Sequence, residues 1–489
     1  MPPVYNVASL AERQAKCAPL FAELRLVLPD PESQLITDPK KLQEAYSSDK
    51  SFCVPVTPAA AVLPSSVEQV AAVVRLCAAH KIPMTPRGAG TGLEGGAIAL
   101  TGGVVIDAAR LQRMDFDVRN AVVWVGAGVR KLRLMKAARE HGLLFGPDPS
   151  SNPCVGGMVA TSGSGMTTLK YGTTRENVLA LRVVTPQGNV MDTRRVVRKT
   201  SSGLDLTQLY CGSEGTLGVL CEVAFKLWPL LLHSAGGVAT FDSTENAVNA
   251  VVALKLQGAP TTLLRCELLN KEAVEASNKY SKLSLPVAAT VFLEFSDSDA
   301  SLRRIRADFK TVSNIFRVAG KACSMRFLKA GDELDAVWEA RRGCFYAAMQ
   351  VRGKPERVLT TDVCVPLTEL PAVIRETEED FAAHRVPCLV CAHISDGNFH
   401  LNVPFGDEEE YRQLRVLESR LTQRALARGG TISGEHGVGV GKLKYVTQEH
   451  GETHIRVQEA IKAALDPDNL MNPGIFYPNQ QRLCHAARL

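Results

Sequence analysis

Two glycine-rich stretches constrain this chain more than any other feature. They are Pro86-Arg-Gly-Ala-Gly-Thr-Gly-Leu-Glu-Gly-Gly-Ala97 and Gly146-Pro-Asp-Pro-Ser-Ser-Asn-Pro-Cys-Val-Gly-Gly157, the latter continuing through Gly163-Ser-Gly165. Bare backbone N–H groups, small side chains and fixed turns let a loop approach a diphosphate closely. Gly90-x-Gly92-x-x-Gly95 satisfies the dinucleotide pattern as letters. Its context does not fit, because that fingerprint opens a helix after a strand and places an acid about 20 residues on. Here Gly95 leads through a Gly102-Gly103 turn into the strand-like Val104-Val-Ile-Asp107. A glycine loop between two short strands, followed by a second loop, predicts a different diphosphate cradle.

The stretches Pro86–Ala97, Pro147–Asn177 and Gly212-Ser-Glu-Gly-Thr-Leu-Gly218 resemble the FAD-binding domain of the vanillyl-alcohol-oxidase (PCMH) type. His393-Ile-Ser-Asp-Gly-Asn-Phe-His400, Gly434-Glu-His-Gly437 and Asn472-Pro-Gly474 extend the resemblance toward FAD-dependent D-lactate dehydrogenases, glycolate oxidase flavoprotein subunits and D-2-hydroxyglutarate dehydrogenases. The motifs keep their order from about residue 45 to 477. The fold so implied is α+β: a two-subdomain FAD-binding domain and a cap whose antiparallel sheet is covered by helices.

At 489 residues the chain exceeds what one core supports, so two or three domains are expected. A net charge of +5, with basic and acidic residues interspersed, argues against nucleic acid as a partner. No apolar run reaches the roughly 20 residues that span a bilayer. Thirteen scattered cysteines read as a reduced intracellular compartment. Cys388-Leu-Val-Cys391 lies in a strand-like run, where residues three apart face opposite ways, which argues against a redox pair or shared ligation. Basic residues mixed with Glu12 and Glu23 make the N-terminus a poor transit peptide. Ala487-Arg488-Leu489 is a small–basic–Leu variant of the peroxisomal tripeptide, giving a peroxisome-type organelle as the expected compartment and mitochondrion or cytosol as alternatives.

In chain order, residues 1–45 read as a peripheral helical arm. Residues 46–230 read as the FAD domain, 231–455 as the substrate cap, and 456–489 as a segment returning to the FAD domain. Ser65 with Glu68 has capping-box spacing ahead of the apolar stripe Val67, Val70, Ala71, Val74 and Cys77. Val129–His141 reads as an amphipathic helix closed by Gly142, and Leu181–Thr185 with Asn189–Asp192 as a hairpin. Beyond residue 231, strand-like stretches (Gly237–Phe241, Leu263–Leu268, Ala288–Phe295, Val358–Val365, Cys388–His393) alternate with charged helical ones (Thr244–Leu256, Leu302–Phe316, Leu334–Met349, Glu408–Ala427). The pattern predicts a sheet with helices on one side.

The resemblance implies flavin contacts from Arg87, Gly88, Ala89, Gly90, Thr91 and Gly92 in the first loop. It implies others from Pro147, Asp148, Ser150, Gly156, Gly157, Ser162 and Gly165 in the second, and from Glu214, Gly218, Val219 and Asn472. Thr91 stands where oxidase relatives often carry a flavin-linked histidine, so the FAD is expected to be non-covalent. His393 and His400 bracket a turn. Were the hairpin symmetric they would sit directly opposite, close enough to share an ion at about 2.0–2.1 Å. By resemblance Glu435 is the third ligand; such a set suits Zn²⁺, with Mn²⁺ as an alternative. The resemblance makes His436 the base and Arg341, in Trp338-Glu-Ala-Arg-Arg342, the carboxylate receptor. Asn398 and Lys442 are further pocket candidates.

These residues imply FAD-dependent oxidation of a small 2-hydroxy acid, D-lactate or glycolate first and D-2-hydroxyglutarate also open. Electrons would leave to a cytochrome c, a quinone or an electron-transferring flavoprotein, and a homodimer is retained as an option. A metal hydrolase leaves the glycine loops unexplained. A flavin-dependent ether-lipid synthase does not use the His393, His400 and Glu435 set in this way. A flavoprotein subunit inactive on its own is the remaining alternative.

Overall fold

The computed structural model describes residues 7–354 and 356–478. They form two compact units. The first comprises residues 7–164, 173–229 and 435–478; the second comprises 165–172, 230–354 and 356–434. The chain passes between the units at 164/165, 172/173, 229/230 and 434/435, and the short segment 165–172 groups with the second unit.

In the first unit, Met84–Arg87 and Ala60–Val62 flank Val104–Asp107 in a parallel arrangement, with Leu35–Ile36 added antiparallel. The helix Val67–Ala79 buries the apolar stripe of its sequence: Val67, Val70, Ala71, Val74 and Cys77 all lie in one core. Its N-cap is Ser66, one residue later than expected. Ser66 is extended and accepts from Gln69 N at 3.3 Å, while Gln69 Oε1 accepts from Ser65 N at 2.9 Å. The N-terminal arm is not peripheral. Cys17, Leu20, Phe21 and Leu24 of the helix Leu10–Val27 fill that same core, each buried aliphatic or aromatic side chain contributing roughly 1.5–3 kcal/mol. A second, antiparallel sheet runs in the order Met114–Asp117, Val122–Gly126, Val219–Lys226, Val178–Val184, Val190–Asp192. The last two strands are the expected hairpin, turned at Gly188 with φ +79°.

The second unit is built on an eight-stranded antiparallel sheet. Helices cover both of its faces. Gly236 and Gly237 are neighbours on the strand His233–Phe241 and so face opposite ways. A Cβ at Gly236 would meet Leu334 of the helix Asp332–Arg342, and one at Gly237 would meet Phe309 of the helix Arg303–Ala319. Central strands such as Leu263–Leu269 and Ala289–Asp297 are nearly continuous in apolar residues, as a sheet buried on both sides requires.

Two expected elements are broken. Leu334–Met349 divides at Gly343 into Asp332–Arg342 and Cys344–Met349. Val358–Val365 divides into Arg357–Thr360 and Val363–Cys364, leaving Thr361 and Asp362 outside the ladder. Among the described residues no helix is long and apolar enough to cross a membrane.

Candidate flavin and metal site

In the first unit, the side chains of the glycine loops are largely spent on holding the loops themselves. The Arg87 guanidinium donates to the carbonyls of Ala97 (2.9 Å), Ser48 (2.8 Å) and Ala45 (3.2 Å). Asp148 is buried and accepts from the equally buried Lys131 Nζ at 2.8 Å. Ser162 ends the short helix Val155–Thr161 in the left-handed region and accepts from Arg175 Nε at 3.2 Å. Gly88, Ala89, Gly90, Thr91 and Gly92 form an irregular loop after the strand Met84–Arg87, and Ser150 is exposed ahead of Gly156 and Gly157. Pro147 is buried beside Asp148, and Gly218 immediately precedes Val219, which opens the strand Val219–Lys226. Gly165 is grouped with the second unit.

Glu214 and Asn472 join the segments. The Glu214 carboxylate is buried and accepts from the amides of Val438 (2.7 Å) and Gly439 (2.8 Å). Burial raises its pKa to about 7, opposed by those two amides and by Lys442. Asn472 donates through Nδ2 to the carbonyls of Gly96 (3.0 Å) and Glu214 (2.8 Å). Its Oδ1 is buried with no hydrogen-bond partner in the protein. Gly157 has no heavy atom within 4 Å of where a Cβ would stand, and Gly92 has only Asp49 Oδ2, at 3.8 Å. Open space at glycines, loops held by their own bonds and an orphaned acceptor fit a bound flavin nucleotide.

The candidate metal ligands begin with the hairpin Leu389–His393 and Asn398–Phe405 of the second unit. It is not symmetric about the two histidines. His393 pairs with Asn398 and His400 with Cys391, across a turn whose Gly397 has φ +80°. The histidines are therefore diagonal neighbours on one face, not directly opposite; diagonal pairs remain within reach of aromatic side chains. Their rings lie 5.5 Å apart at 90°, with ligand nitrogens within 4.8 Å. His393 Nδ1 bonds Glu267 Oε1 at 2.9 Å, and His400 Nδ1 bonds the Thr361 carbonyl at 2.8 Å. A carboxylate and a carbonyl only accept, so each Nδ1 carries a hydrogen, and in the neutral ring Nε2 is left with the lone pair. The donor set fits a divalent cation of the zinc or manganese kind.

Asp362, in the break between two strands, accepts from Asn398 Nδ2 at 3.0 Å and from Ser433 Oγ at 2.8 Å. Asn398 Oδ1 is buried without a partner. The chain then leaves the second unit at Gly434 and enters the first at Glu435. Glu435 Oε2 accepts from Ser164 Oγ at 2.8 Å, and His436 Nε2 lies 3.9 Å from Glu435 Oε1. Lys442 sits 3.3 Å from Glu94.

Arg341 is buried, and its guanidinium donates to Glu267 Oε2 at 2.5 Å while its Nε has no partner. Glu267, Asp362, Thr361 and Ser164 escaped the sequence reading. One signal was available: Glu267 is a lone acid inside the apolar run Leu263–Leu269. Cys388 and Cys391 are both free thiols, and Cys391 lies within hydrogen-bonding reach of the Cys344 thiol.

Residues 58–194 match the FAD binding domain, and residues 233–475 match the C-terminal domain of FAD linked oxidases. A probable mitochondrial D-lactate dehydrogenase of Danio rerio is 37% identical over 443 residues, 88% of this chain and 87% of that protein. A mitochondrial D-lactate dehydrogenase (cytochrome) of Arabidopsis thaliana is 34% identical over 94% of this chain and 80% of its own length. The fold is also that of p-cresol methylhydroxylase, at a TM-score of 0.76 and 17% identity over 94% of this chain and 96% of that one. The mitochondrial names overturn the peroxisomal expectation drawn from Ala487–Leu489, a tail outside the described residues. With both domain matches in sequence order and relatives covering most of its length, the chain belongs to the FAD-linked oxidases, a family of FAD-dependent oxidoreductases.

Proposed function

We propose that the chain oxidises a D-2-hydroxy acid, D-lactate first, to the 2-oxo acid. The observation that carries this reading is the buried pair His393 and His400, each held as the Nδ1–H tautomer, in a chain whose relatives are named D-lactate dehydrogenases. The glycine loops and Asn472 would hold FAD non-covalently, and the bound flavin would supply the acceptor for the hydride that leaves the substrate Cα. His393 and His400 would hold a divalent cation, whose chemistry is to acidify a chelated hydroxyl; Glu435 is the third ligand that the family resemblance implies.

The protein's own groups complete the reaction. A histidine is the side chain suited to taking a proton near neutral pH, and His436 accepts the hydroxyl proton on a ring nitrogen. The substrate carboxylate meets Arg341, whose unpartnered Nε remains a donor while its other side is held by Glu267. Asn398, with its unpaired Oδ1, is an acceptor for a substrate hydroxyl. The names of the relatives favour a mitochondrial setting and a cytochrome as electron acceptor.

The test is anaerobic bleaching of the flavin in the purified protein by D-lactate, L-lactate, glycolate and D-2-hydroxyglutarate, before and after chelation. D-lactate should bleach fastest, and the chelated protein should lose the reaction. Faster bleaching by glycolate or D-2-hydroxyglutarate would move the substrate assignment, and bleaching by none of the four would remove it.

A further inference from the structure

A positioning residue for the histidine pair lies on a neighbouring strand. Leu263–Leu269 runs antiparallel to Leu389–His393 with Leu268 opposite Ala392 and Leu269 opposite Cys391. One step further along that register brings Glu267 to His393. The Glu267 side chain is 2% exposed. One oxygen accepts from His393 Nδ1 at 2.9 Å and the other from Arg341 at 2.5 Å. A single buried carboxylate therefore holds two site residues from two different elements.

We propose that Glu267 sets the metal affinity of this chain by fixing His393 as the Nδ1–H tautomer, with the Nε2 lone pair presented to a divalent cation. The inference rests on the metal reading of His393 and His400 given above. Free imidazole exchanges its proton between the two nitrogens, and a ring that carries it on Nε2 cannot ligate there. A carboxylate on the far nitrogen removes that choice, orients the ring and raises its basicity. His400 is held differently, by the neutral Thr361 carbonyl, so the pair is asymmetric and His393 is the stronger donor. Arg341 serves the same arrangement from the other side, since it holds the second carboxylate oxygen and so fixes the orientation of Glu267. The competing role for Glu267 is that of a counterion for Arg341 alone.

The two roles separate in metal titrations of the full-length protein, made without substrate. Zn²⁺ affinity is read by chelator competition and ligand geometry by the visible spectrum of bound Co²⁺. Glu267→Ala should bind Zn²⁺ about 10- to 100-fold more weakly and alter the Co²⁺ spectrum. The double variant Glu267→Ala/Arg341→Met leaves no unpaired buried charge and should lose the same affinity. A folded double variant with native affinity and spectrum would reduce Glu267 to a counterion and overturn the proposal. Long-range ¹H–¹⁵N spectra of the metal-free wild-type protein need no variant at all. They should show His393 protonated on Nδ1, and an Nε2–H tautomer overturns the proposal as well. Wild-type protein that binds neither Zn²⁺, Mn²⁺ nor Co²⁺ would instead remove the metal reading, and this inference with it.

Discussion

His436 is the proposed base, and Glu214 braces the loop that follows it. With His436 as the base, His436→Gln should keep flavin and metal bound but slow flavin reduction about 10²- to 10⁴-fold in stopped-flow. Native-like reduction would transfer the role elsewhere. The Glu214 carboxylate is engaged by the amides of Val438 and Gly439, shortly after that histidine. Its titration gives a signed prediction. Burial raises it from 4.5 to about 7, and an acid raised in the folded state favours folding most below its unfolded pKa. The contribution is lost as pH climbs from about 4.5 through 7, on the order of 3 kcal/mol at most. Glu214→Gln should flatten the dependence of Tm on pH across that window. A variant curve with the wild-type slope would show that Glu214 does not titrate there.

At the scale of elements, adjacent glycines in the helix Val155–Thr161 do opposite things. A Cβ at Gly156 would lie 2.7 Å from Ala127 Cβ and 3.0 Å from its carbonyl oxygen, so this glycine exists for close packing. Gly157 opens onto empty space. Gly156→Ala should therefore cost about 1–3 kcal/mol of stability by calorimetry. Gly157→Ala should leave the apoprotein as stable as wild type and weaken FAD binding alone. Equal FAD affinity in Gly157→Ala would place the nucleotide away from that face. The hairpin carrying His393 and His400 makes a related point. Its two histidines share a face because they are an even number of register steps apart, and Gly397 supplies the turn that sets this register.

For the whole molecule, the flavin should be a dissociable ligand whose binding stabilises the chain by mass action. Acid precipitation should leave colourless protein, and FAD at 100 times its Kd should stabilise by about 2.7 kcal/mol, seen as a higher Tm. Yellow precipitate would show a covalent bond and refute the expectation drawn from Thr91. The sequence by itself located the glycine loops, the histidine pair and most of the strands and helices. Glycine loops, histidine spacing and apolar periodicity are local signals, carried by residues close together in the chain. Only the tertiary structure decided that the helix Leu10–Val27 belongs to the first core and that helices lie on both faces of the second sheet. It alone joined Glu267 to His393 and Arg341. Those three are separated by long stretches of chain, and a buried carboxylate has no sequence pattern that names its partners. They are set by strand order and register, which follow from how whole faces are buried.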